Sequence, residues 1–165
     1  MNEIADLRRM LLRELDSFKQ EINLFPDDAL LWVAPGGVTN SAGNLALHVA
    51  GNLRHFVGAV LGGTGYGRNR DAEFSTRGLD RTALLRELDR AIADVATTLG
   101  ALDPARMNQP YPLPVGGITV STRRFLIHLA THLAWHLGQA GYLRRILTGQ
   151  NVSTGAVPVP ALAEP

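Results

Sequence analysis

The sequence predicts an all-α fold, a four-helix bundle. Three observations carry that expectation. Four long segments repeat apolar residues at three-four spacing, capping or helix-breaking residues bound each segment, and no stretch carries a strong strand signal. The chain of 165 residues is the length of one domain and can bury a core without staples. The expected division is one bundle domain over 1–148 followed by a proline-rich, polar tail over 149–165.

The first helix is expected over Asn2–Leu24, with Leu7, Leu11, Leu15, Phe18 and Ile22 on one stripe. Phe25-Pro26-Asp27-Asp28 breaks it, and Ala29–Val33 has room for one short turn before Pro35-Gly36-Gly37. The second helix opens near Thr39–Ser41, whose hydroxyls are good caps, and ends at Gly62-Gly63. Its apolar positions are Leu45, Val49, Leu53, Phe56, Val57, Val60 and Leu61. The third runs from an Asp80 cap to Leu102, with Leu85, Leu88, Ile92, Val95 and Leu99 as its stripe. The fourth and longest runs from about Thr119 to Leu147 and stops at Gly149. Its apolar residues Phe125, Leu129, Leu133, Ala140 and Leu143, widened by Leu126, Leu137 and Ile146, suggest contact on two sides. Long loops follow the second and third helices. Gly63–Leu79 is long enough to be functional or to close a site, and Asn108–Gly117, with three prolines and two glycines, reads as extended with a short hairpin near Val115–Ile118.

Composition narrows the chemistry. The absence of cysteine excludes disulfides, thiolate nucleophiles, iron–sulfur clusters and cysteine-type zinc sites. The formal charge of +1 gives no global field for nucleic acid or an anionic membrane, and Arg123-Arg124 and Arg144-Arg145 are isolated pairs rather than a basic stripe. Lys19, the only lysine, lies in an exposed helical stretch, which removes a Schiff-base role. The charged N-terminus and the lack of an apolar run of membrane-spanning length point to a soluble, cytoplasmic protein. Gly62-Gly63-Thr64-Gly65-Tyr66-Gly67 lacks the Gly-Lys-Ser/Thr ending of a phosphate loop and has no preceding strand.

Five histidines remain, all in expected helices. His128, His132 and His136 recur every four residues, each turned about 40° from the last, so they share one face. His48 and His55 lie nearly on one face of the second helix, with Asn44 and Asn52 beside His48. An isolated helical histidine is ordinarily a satisfied core or surface residue. Three on a face beside Leu129, Leu133 and Leu143 are harder to dismiss, because imidazoles against an apolar core need partners. A pair at i and i+4 can place two nitrogens on one metal ion, a facing helix can supply a third, and an all-nitrogen set suits zinc, nickel, copper or iron better than magnesium or calcium.

The stretch from His128 to Leu147 resembles the last helix of the DinB/YfiT-like superfamily of four-helix metalloenzymes, whose His-x-x-x-His-x-Gly-Gln signature is met by His132, His136, Gly138 and Gln139. Asn44-Leu45-Ala46-Leu47-His48-Val49-Ala50-Gly51-Asn52-Leu53 is similar to the second-helix context of its third ligand. Tyr66-Gly67-Arg68-Asn69-Arg70-Asp71-Ala72-Glu73-Phe74 is similar to a loop of one branch of it. The resemblance implies an up-down-down-up bundle, a homodimer, a divalent transition metal (zinc or nickel) on His48, His132 and His136, and chemistry that includes thiol-dependent S-transfer. His128 and His55 fall outside that ligand set. Relatives often carry arginine after the last histidine, where this chain has Leu137.

Further roles follow from position. Asn52, one turn after His48, is a candidate for orienting a substrate, and His128 a candidate general base. Asn44 or a core-facing Glu14 is a candidate hydrogen-bond partner for a ligand histidine. Arg68 and Arg70 are candidates for holding a carboxylate of a low-molecular-weight thiol. Trp135 faces away from the histidines and marks either a dimer seam or a contact with a neighbouring helix. The expected function is a metal-dependent enzyme on a small-molecule substrate. Metal-dependent hydrolysis and a non-catalytic, stress-associated metal-binding bundle are the alternatives.

Overall fold

A computed structural model describes residues 3–154. Helix α1 spans Glu3–Asn23, and Asp28–Trp32 forms one 3-10 turn capped by the Asp27 carboxylate. Helix α2, Ala42–Leu53, begins where the Ser41 hydroxyl accepts the Asn44 amide. It continues without a break through a π-helical stretch, Arg54–Ala59, into α3, Val60–Gly62. Gly63, at φ 68°, turns the chain out of that rod. The short α4, Arg70–Ser75, follows in what reads from sequence as plain loop. Helix α5, Arg81–Ala101, is capped by Asp80, and α6, Thr122–Thr148, by Ser121. Among the described residues no strand forms. The long connection before α6 carries only a 3-10 turn, Pro104–Asn108, and the antiparallel bridges Pro110 to Ser121 and Val115 to Ile118. The tail from 155 lies outside the described residues, whereas 150–154 fold back: Arg144 bonds Gln150 and the Val152 carbonyl, and Thr154 donates to Glu21.

Side-chain pairs give the directions of the helices. Arg8 of α1 donates to the carbonyl of Ala96, and Lys19 pairs with Asp89, so α1 and α5 are antiparallel. Glu3 meets Arg123 and Glu21 meets Arg144, so α1 and α6 are parallel. Arg54 pairs with Glu87, while Gly58 and Gly62 sit against Asp94 and Thr98, so the α2–α3 rod is parallel to α5. His48 lies by His132, and Phe56 by Phe125, so the rod is antiparallel to α6. The bundle is therefore up-down-down-up, with α1 and the α2–α3 rod each packed on both α5 and α6. Because two consecutive long helices run the same way, the chain must travel back over about 30 Å of rod between them. Residues 63–80 make that return, and it carries Arg68 and α4 along the α2 surface.

The core follows the expected stripes with one rotation. Leu11, Leu15, Phe18, Ile22, Leu45, Val49, Leu53, Leu88, Val95, Leu126, Leu129 and Leu133 are buried. On α5, however, Leu84 and Ala91 are the fully buried members, while Leu85 and Ile92 are half-buried. Both pairs satisfy three-four spacing, and only the position of the parallel α2–α3 rod decides between them. On α6, Ile146 is exposed rather than part of a second packed face. Arg144, by contrast, is fully buried against Glu21, so the Arg144-Arg145 pair is not a surface basic patch.

Candidate metal centre

His48, His132 and His136 project from α2 and α6 into one cluster in which one nitrogen of each lies within 4.8 Å of the others. The Nε2 atoms of His48 and His132 are 3.3 Å apart, and those of His132 and His136 3.1 Å. The antiparallel crossing of α2 and α6 sets His48 opposite the i and i+4 pair, which shares a face because four residues advance the α-helix by little more than one turn. His48 is buried, whereas His132 and His136 are half-buried, so the cluster opens on one side.

The outer nitrogens of two of these rings are tied down. His48 Nδ1 is 2.9 Å from Glu73 Oε2, and His136 Nδ1 is 2.7 Å from Gln139 Oε1. Both partners are oxygen acceptors, so both Nδ1 atoms carry hydrogen and both Nε2 atoms present lone pairs to the cluster. His132 Nε2 faces both and can give a proton to one at most. A cation placed among the three relieves that conflict. Burial, and then the neighbouring His136 and His48, push His132 down to about 4. Burial likewise lowers His136, against the raising effect of Gln139. His132 and His136 are thus held in the neutral form that ligates metal. The spacing also suits a metal, because zinc–nitrogen bonds of about 2.0–2.1 Å in a tetrahedron put neighbouring nitrogens roughly 3.3 Å apart.

Glu73 belongs to α4, on the returning crossover. Burial alone would raise its pKa, but hydrogen bonds from His48 and Arg68 outweigh that and hold the carboxyl below its ordinary value. Arg68 grips it in bidentate fashion, Nε to Oε1 at 2.7 Å and Nη2 to Oε2 at 2.8 Å. Gly51 makes the approach possible, since a Cβ there would lie 2.2 Å from Glu73 Oε1. Asn44 holds α4 in place, its amide donating to the carbonyls of Glu73 and Thr76 at 3.0 and 3.1 Å. Phe74 rests on the His48 ring at 4.8 Å, and the Arg70 guanidinium lies over the Phe74 ring at 5.0 Å.

The hydrogen-bond partner of His48 is accordingly Glu73. Glu14 pairs with its neighbour Arg13, and Asn44 acts through the backbone of α4. Arg68 stands beside the cluster but spends two nitrogens on Glu73, while Arg70 is exposed and further out. His128 is exposed, stacked on Phe125 at 5.9 Å, and its ring lies 5.9 Å from that of His132. Asn52 is buried on the α2 face of His48, and His55 is half-buried beside Phe56. Sequence reasoning gave no role to Glu73, Gln139 or Gly51. The available signals were an acid five residues after Arg68 and a glutamine one turn beyond His136.

Fold and site together define a helical-bundle protein with a three-histidine candidate metal centre. The profile of the DinB superfamily matches residues 3–140, and the chain belongs to that superfamily. A comparison with curated proteins returned no match. No helix among the described residues is long and apolar enough to cross a membrane.

Proposed function

We propose that this protein is a metal-dependent enzyme that acts on a small molecule, with thiol-dependent S-transfer as its reaction class. The observation that carries the reading is the convergence of three imidazole Nε2 atoms whose outer nitrogens on His48 and His136 are bonded to Glu73 and Gln139. A zinc or nickel ion on His48, His132 and His136 would supply a Lewis acid able to lower the pKa of a thiol or a water. The protein's own residues set the charge around it. An imidazole ligand brings no negative charge and Arg68 balances Glu73, so an anionic donor on the ion is favoured. His128, exposed and with its ring 5.9 Å from that of His132, is placed to exchange a proton with the substrate. Because the chain has no cysteine, the sulfur must arrive with the substrate. The thiol reading places the enzyme in the reducing cytoplasm.

The test is metal content by mass spectrometry after purification without a metal-affinity column. About one zinc or nickel per chain is expected, with near-complete loss in His132→Ala and His48→Ala. Substoichiometric metal unchanged by either substitution defeats the metalloenzyme reading. A panel of electrophiles with and without low-molecular-weight thiols then tests the reaction class. Ester hydrolysis without any thiol acceleration assigns the protein as a hydrolase, and bound metal without turnover assigns it a binding role.

We also propose a homodimer that covers the α6 face bearing Trp135, Tyr142 and Ile146, which are 69%, 66% and 65% exposed. Light scattering should show twice the chain mass, reduced to one chain mass in Tyr142→Glu.

A further inference from the structure

We infer that the α2–α6 seam on the α3 side of the histidine cluster is a ligand subsite, in which Asn52 Oδ1 accepts an N–H or O–H from a small molecule whose apolar end rests on Phe56 and Phe125. The inference deepens the reading above and rests on it, since the ligand's other end is its metal-binding atom.

The first observation is an orphaned acceptor. Asn52 is only 8% exposed, and its Oδ1 is buried with no hydrogen-bond partner among the described residues. Leaving a buried carbonyl oxygen unpaired costs stability, so such an atom ordinarily has a partner that the protein itself does not supply. Its direction follows from its neighbours. His48, one turn before, reaches His132 on α6, and Phe56, one turn after, meets Phe125 edge-on at 5.0 Å. Asn52 lies between them on the same face, so it too points at α6, about 6 Å along the helix from His48.

The second observation is the π-helical stretch that begins two residues after Asn52. A π-turn takes more residues per turn than an α-turn, so the side chains that follow lag behind the α-helical rotation. Phe56, which an unbroken α-helix would turn about 80° from His48, is therefore kept nearer the His48 side. His55 Nδ1 is a second buried atom without a partner. Such turns recur at functional sites, and this one carries the unpaired His55 Nδ1 and the Phe56 ring.

The third is a preformed aromatic floor. Tyr111, from the long connection before α6, packs on Phe125 at 4.4 Å and fixes itself by donating its hydroxyl to the Phe56 carbonyl at 2.6 Å. His128 also stacks on Phe125 and is exposed. The seam thus runs from the histidine nitrogens, past one acceptor, to aromatic rings. The ligand class is a small thiol or other anionic donor, with an N–H or O–H a few bonds from the donor atom and an apolar or aromatic end.

Three probes on the cobalt-loaded protein test this, with the thiolate-to-cobalt absorption band as the readout. N-benzyl-2-mercaptoacetamide and benzyl mercaptoacetate differ only in an amide N–H against an ester oxygen, and N-methyl-2-mercaptoacetamide lacks the ring. The amide should bind about fivefold tighter than the ester, the effect of one net hydrogen bond. The benzyl amide should bind about tenfold tighter than the methyl amide, from the apolar surface it buries. Asn52→Leu should erase the first preference and keep the second, and Phe56→Ala the reverse. Equal affinities within either pair on the unmodified protein overturn the subsite while leaving the metal centre standing. Absence of the band with all three probes overturns the metal–thiol reading itself, and this inference with it.

Discussion

Replacing Gly51 by alanine isolates the contact on which the metal centre leans. The new methyl would lie 2.2 Å from Glu73 Oε1 and 2.9 Å from its Cδ, and ordinary contact begins at 3.4 Å, so the carboxylate must retreat by about 1.2 Å. The steric cost is small because Glu73 is a flexible side chain. What it loses are its bonds to His48 at 2.9 Å and to Arg68 at 2.7 and 2.8 Å, which cannot all survive a shift of that size. Hydrogen bonds to a charged group contribute about 1.5–3 kcal/mol each, and water can repair part of the loss at the half-buried Arg68. A gross cost of about 2–4 kcal/mol is expected. Alanine's better helix propensity returns about 1 kcal/mol, which leaves a net loss of about 1–3 kcal/mol in urea denaturation of the metal-free protein. Zinc affinity, measured by chelator competition, should fall about 10–100-fold, the usual effect of losing a ligand's outer hydrogen bond, although all three ligands remain. The sign in a second background decides the matter. In Glu73→Ala the clash is gone, so Gly51→Ala should become stabilising by up to about 1 kcal/mol. Equal destabilisation in both backgrounds, or unchanged zinc affinity, refutes the reasoning.

Three further outcomes follow from the structure. Burial alone would raise Glu21, but the Arg144 and Thr154 hydrogen bonds hold it below its ordinary value. Its stabilisation is therefore present above the unfolded carboxyl pKa of about 4.3 and fades as pH falls through the lower folded value. Glu21→Gln should lower the urea midpoint at pH 7 and flatten its decline toward pH 3, and parallel pH profiles for the two proteins would contradict this. Tyr111→Phe removes the donor to the Phe56 carbonyl while keeping the ring contacts, so denaturation should show a loss of about 1 kcal/mol. Gly149 ends α6 at φ 69°, and Gly149→Ala should cost about 1–2 kcal/mol by thermal denaturation, where an unchanged melting temperature would speak against a strained left-handed turn.

Much of this fold is legible before any coordinates. Helix ends are local chemistry, so Ser41, Asp80 and Gly149 mark the boundaries where the structure has them, while α6 starts three residues after the expected Thr119, capped by Ser121. A short side-chain oxygen or a left-handed glycine acts within three or four residues of itself, which is the range a sequence displays. The i and i+4 histidines are legible for the same reason. The short α4 escaped because six residues carry too little periodicity to be separated from loop, although Asn69 is its cap. The buried face of α5 escaped because two overlapping stripes fit its sequence equally well.

By itself the sequence determined the number of long helices, most of their ends, the absence of cysteine thiolate ligands and the shared face of His132 and His136. All of these rest on helical period or on composition. The tertiary structure alone decided that Glu73 lies behind His48, that Gln139 holds His136, that Arg68 is committed to Glu73, and that Asn52 Oδ1 has no partner. The physical reason is the up-down-down-up topology. Two parallel consecutive helices force a long return of chain, and where that return lies against α2 depends on Gly51, Asn44 and the crossover packing together. Period relates residues along one helix. It does not relate a residue to the acid that a distant loop brings up behind it.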